Sequence, residues 1–148
     1  MINTSKHTMH TYLSRMRLSA LECADRTLRE SLLRRIAEHR ANLILADDSI
    51  DTEAQCSRIV AWAQQVSLRL YGRVGAWVGN SLINSIDLAI EDASADPHAL
   101  RRLTAMRVAA EDGTIEEQAA TQAELIDMRT LNPAFWRNPR EWAPEVVL

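Results

Sequence analysis

Apolar or small residues recur along the first third of the chain at Leu13, Met16, Ala20, Ala24, Leu28, Leu32, Ile36 and Leu43. Steps of three, four or seven draw one stripe on a helix, and the positions between them are largely charged. Glu22 and Arg26, Asp25 and Arg29, and Glu30 and Arg34 are acid-before-base pairs four residues apart. Each is worth about 0.2–0.5 kcal/mol on a solvated helical face. The pattern predicts a first helix over residues 8–46, the longest of the chain. Uninterrupted, it would be roughly 57 Å long, whereas a compact domain of this size has a radius of gyration of about 15 Å. Either the helix breaks or the molecule is elongated.

The polar stretch from Ala46 to Asp51 ends that pattern, and Asp51 or Thr52, followed by Glu53 and Gln55, supplies a second helix start with negative charge in its first turn. The stripe Cys56, Ile59, Ala63, Val66 and Leu70, with Trp62 on its shoulder, carries this helix to about residue 70. Gly72, Gly75 and Gly79 then fall within eight residues. Glycine weakens a helix by about 1 kcal/mol relative to Ala, so this segment is a turn or a helix with a neighbour packed very close. Helix resumes at Asn80 or Ser81 and ends near Ala93. Asp96 and Pro97 are an N-cap and first-turn proline, opening a fourth helix to about Glu111. Asp112 and Gly113 stop it, and Thr114 with Glu117 forms a capping box for a fifth helix to about Thr130. Beyond lie two Asn-Pro pairs, the only Phe and half of the four Trp, in a segment with no helical period of any length.

With four Gly and four Pro in 148 residues, composition adds a reason against a turn-rich β protein. The expected fold is all-α: a single-domain bundle of about five helices over residues 1–131, followed by an irregular aromatic and proline-bearing tail over 132–148. Its core should include Leu28, Leu32, Ile36, Ile59, Val66, Leu82, Ile86, Leu103 and Ile126. Cys23 and Cys56 match no disulfide framework or zinc spacing and read as reduced core residues. Residues 1–12 contain no apolar run, so no secretory leader is expected and the reading is cytoplasmic. No membrane span is expected either, because Arg73 and Asp87 bound only thirteen uncharged residues where a span needs roughly 20.

Charge narrows the partners. The net charge of −3 gives no global attraction to nucleic acid. It is unevenly spread: residues 1–73 hold eleven bases and eight acids, net +3, while residues 74–148 hold six bases and twelve acids, net −6. Such polarity draws the helices together or favours contact between copies. Arg34, Arg35 and Arg40 form the densest basic patch.

No nucleophile elbow, phosphate loop or metal-binding histidine pair with an intervening Glu is present, so no catalytic residue, cofactor or metal is expected. His7 and His10 share a helical face but have no third ligand nearby, and the acids from Asp47 to Glu53 lack the ligand alternation of a calcium loop. Ala109 to Gly113 has the spacing of a helix-turn-helix, yet the following helix carries Glu116, Glu117, Glu124 and Asp127 against Arg129, the wrong sign for phosphates. Gly75 and Gly79, with Trp77 between them, read as a close-packing contact. The tail residues Phe135, Trp136, Arg137 and Trp142 are of the kinds that anchor interfaces. The expected function is therefore protein interaction without catalysis, as an oligomeric structural or adaptor subunit of a larger assembly of virion or secretion-machine type. The alternative is a small inhibitor or regulator covering one partner protein; DNA binding stands a distant third.

Overall fold

A computed structural model describes residues 6–93 and 96–130, apart from the side chains of 129 and 130. Six helices make up this part: α1 Lys6–Leu21, α2 Arg26–Leu45, α3 Ser49–Tyr71, α4 Ala76–Asp92, α5 Pro97–Asp112 and α6 Ile115–Thr130. There is no strand among the described residues, and none of these helices is long and apolar enough to cross a membrane. The fold is an all-α bundle. The tail over 132–148 lies outside the described residues.

The single first helix expected over residues 8–46 is two helices, which raises the count from five to six. Asp25 decides the break. Its backbone is extended, with φ −74° and ψ 113°, and its side chain accepts from the Leu28 amide at 3.1 Å. It is thus an N-cap rather than one member of a surface ion pair, and a cap contributes about 1 kcal/mol to the helix it starts. Arg29 turns back to donate to the Cys23 carbonyl at 2.9 Å. Cys23 consequently sits half-buried in the turn, while Cys56 is fully buried; no disulfide joins them. The longest helix is α3.

Other termini follow their side chains. Asp48, three residues before the expected start, caps α3 by accepting from Asp51 N at 2.7 Å. Gly72 ends α3 with φ +74°, a left-handed conformation that disfavours L side chains. Helix α4 starts at Ala76, earlier than the expected 80 or 81, because Gly79 is accommodated inside it. Asp96 caps α5 through the His98 and Ala99 amides. Thr114 and Glu117 exchange reciprocal bonds at 3.2 and 3.1 Å, a closed capping box.

Helix α1 is central: it packs against α2, α3, α4 and α6, whereas α2 touches only α1 and α3, and α5 only α4 and α6. All eight residues from 9 to 16 are buried, polar ones included. Leu32, Ile36, Ile59, Leu82, Ile86 and Leu103 lie in the core as their periodicity predicts, and Leu28, Val66 and Ile126 pack against it half-buried. Leu70, placed on the inward stripe by its spacing, is exposed at the C-terminal end of α3.

Candidate functional site

Helices α2 and α3 diverge into an open groove. Two adjoining concavities run along it, of about 400 Å³ beside Leu28, Leu32, Val66 and Leu70 and of about 520 Å³ beside His39, Asn42, Gln55 and Arg58. Arg35, Glu38 and Trp62 line both. The α3 wall has a helical period of its own: Arg58, Trp62, Gln65 and Arg69 follow in steps of four, three and four, so they share one face. From α2, Arg34 and Arg35 reach the same groove.

Trp62 is half-buried, with one surface open to the groove and the other tied to the core. Its ring lies 5.0 Å from that of His39 and meets buried Trp77 edge-on at 5.5 Å. Aromatic contacts of this kind add about 0.5–1.5 kcal/mol beyond the area they bury. Behind Trp62, Arg58 donates from Nη1 to Gln55 Oε1 at 3.1 Å, which orients the amide so that Gln55 Nε2 faces His39 Nδ1 at 3.2 Å. An amide N–H requires Nδ1 to accept, so the imidazole proton sits on Nε2. Burial, reinforced by Arg35, lowers the His39 pKa below its ordinary value and favours this neutral form. Nε2 is buried with no hydrogen-bond partner among the described residues.

The basic patch expected from Arg34, Arg35 and Arg40 divides across α2. Arg40 points to the α1 side, donating to Ser14 Oγ at 2.9 Å and lying 3.4 Å from His10 Nδ1. Arg34 and Arg35 remain on the groove side with Arg58 and Arg69. Arg35 meets Glu38 at 3.2 Å, with both side chains more than half exposed, an ion pair worth under about 1 kcal/mol. The groove therefore keeps a positive balance. Sequence reasoning missed Arg58 and Arg69 because they approach Arg34 and Arg35 only across two helices, although the shared α3 face was legible.

Gly79 and Trp77 are buried and Gly75 is half-buried, and none of the three lines the groove. A Cβ at Gly79 would stand 2.6 Å from the Ala110 carbonyl oxygen, so α4 and α5 approach there at backbone distance. Gln118 Nε2 donates to the Gly75 and Ala110 carbonyls, both at 3.0 Å. The tail residues Phe135, Trp136, Arg137 and Trp142 lie outside the described residues.

Elsewhere, His7 is exposed and His10 is buried beside Arg40, so that pair does not share an open face. No group of three His, Cys, Asp or Glu that could hold a metal stands together among the described residues. Helix α6 buries Gln118, Thr121, Gln122, Leu125 and Met128 and leaves Glu117 and Asp127 exposed. The groove offers guanidinium forks of a shape that suits carboxylates and an indole face that suits an apolar side chain. Comparison with protein families, curated proteins and solved structures finds no match to this chain.

Proposed function

We propose that this chain is a non-enzymatic protein-interaction subunit that recognises a protein segment in the α2–α3 groove. The observation that carries this reading is the joining of the Trp62 face to Arg34, Arg35, Arg58 and Arg69 in one open crease. Arg and Trp are the residue types richest in binding energy at protein interfaces. A nucleic-acid partner fits less well, because Glu38 interrupts a short row of arginines and the chain as a whole is acidic.

Within that class, an adaptor or structural subunit of a larger assembly remains the favoured role. The elongated first helix no longer supports it, since α1 and α2 fold back on one another. The opposite charge of the two halves does, and so does the tail, whose Phe135, Trp136, Arg137 and Trp142 are proposed as a second contact. Cys23 and Cys56, which form no disulfide, suit a reducing compartment such as the cytoplasm.

The test compares affinity isolation with the wild-type chain and with Arg34→Glu/Arg69→Glu. Both positions are exposed, so the variant is expected to keep its helicity by circular dichroism. Proteins or further copies held by the wild type and lost from the variant are the expected result. Retention of the same set by both chains contradicts a role for the groove.

A further inference from the structure

The basic groove has an acidic counterpart on α4 and α5. Helices α4 and α5 lie antiparallel, and their outward face presents Asp87, Leu88 and Glu91 from α4 and Val108, Glu111 and Asp112 from α5, all exposed. Leu88 is 40% and Val108 58% exposed, large apolar residues in water on the same two helices as these carboxylates. Of the cations on the same face, Arg107 is already held by Asp87 at 2.9 Å and Glu111 at 3.5 Å, and Arg101 stands toward one end. The face is acidic and carries exposed apolar side chains; the groove is basic with apolar side chains along it.

These surfaces belong to different helix pairs. Helix α2 touches only α1 and α3, and α5 only α4 and α6, so α2 and α5 are not in contact. A patch and its complement on different helix pairs make a heterologous contact, which repeats from copy to copy into a ring or an open filament. The net charges of +3 before residue 74 and −6 from there on have the same sense as the two surfaces.

We infer that the α2–α3 groove receives the outward α4–α5 face of a second copy of this chain, joining copies head to tail. This inference rests on the groove being an interaction surface, as proposed above, and adds the identity of its occupant. Val108 and Leu88 enter beside Trp62, Val66 and Leu70, and the surrounding carboxylates meet the four arginines.

The experiment is sedimentation velocity on the full chain over rising concentration, at low salt and at about 1 M salt, where the Debye length falls to about 3 Å. Self-association at low salt, weakened at least about tenfold at high salt, is expected. Arg34→Glu/Arg69→Glu removes the groove face and Val108→Arg the hairpin face, and each variant alone is expected to stay monomeric. Mixed in equal amounts, they should form a dimer and nothing larger, because one intact groove then meets one intact hairpin face. Leu88→Arg replaces Val108→Arg if the latter loses helicity. A wild type that remains monomeric at every concentration overturns head-to-tail pairing, while the isolation comparison separately decides the groove's wider role. Single variants that associate as the wild type does, or a folded mixture that forms no dimer, also overturn it.

Discussion

Arg15 Nη1 donates to the Ser85 hydroxyl at 2.7 Å in the middle of the bundle. Nε of the same guanidinium bonds Gln122 Oε1 at 2.9 Å, and Nη1 also reaches Ser81 Oγ at 3.3 Å, so one side chain connects α1, α4 and α6. Arg15 is only 3% exposed, and burial pushes its pKa down to about 10. Replacing it by Ala removes these bonds and leaves a cavity beside polar groups. A loss of about 2–4 kcal/mol in urea unfolding is expected. Arg15→Met fills much of the volume without a buried charge and should lose less. A change below about 0.5 kcal/mol for Arg15→Ala would be that of a surface residue and would contradict this placement.

The backbone approach of α4 to α5 gives a second prediction. Gly79→Ala adds a methyl 2.6 Å from a carbonyl oxygen that cannot swing aside, so the helices must separate. Against a helix-propensity gain of about 1 kcal/mol, overpacking costs about 1–3 kcal/mol. Thermal unfolding should show a net loss for Gly79→Ala, and an unchanged or higher midpoint would place the helices further apart.

Acidification should weaken the fold through two buried imidazoles. Burial lowers the pKa of both His10 and His39, with Arg40 reinforcing the first shift and Arg35 the second. A folded-state pKa below the unfolded value of about 6.5 means that the unfolded chain takes up protons first. The contribution is fully present above that value and is lost as pH falls below it toward the folded-state values. Urea midpoints measured between about pH 7 and pH 5 should therefore fall. The double variant His10→Gln/His39→Gln should flatten the dependence; an equal slope in wild type and variant would remove these groups as its cause.

The helices were legible because most of their starts carry side-chain signals, such as Asp96 before Pro97 and Thr114 with Glu117. The break at residues 22–25 was harder to see, since Asp25 fits both an i,i+4 pair and an N-cap, and only the local backbone chooses. Burial of α1 on all sides was not legible: His10, Thr11, Ser14 and Arg15 read as solvated positions until four other helices surround them. On α3 the groove wall was present as spacing, at Arg58, Trp62, Gln65 and Arg69. Its pairing with Arg34 and Arg35 depends on how two helices diverge, which no single-helix pattern encodes.

Removal of residues 132–148 tests the tail. The truncated chain is expected to remain folded and helical by circular dichroism while losing association with its partner or its own copies. Cooperative unfolding at a greatly lowered temperature would instead make Phe135, Trp136 and Trp142 part of the core and withdraw them as contact residues.

The groove is tested most directly by a photo-reactive amino acid placed at Ala61, an exposed position on its wall, with Ala120 on the outer side of α6 as the comparison. On irradiation in the assembled state, the Ala61 probe should yield a discrete protein adduct that Arg34→Glu/Arg69→Glu abolishes, and the Ala120 probe should yield none. An adduct on residues of α4 or α5 of the same chain would identify the occupant as a second copy, and one on another protein would identify a different partner. No adduct at Ala61, or one equally strong at Ala120 and indifferent to the charge reversal, would contradict the α2–α3 groove as the surface through which this protein acts.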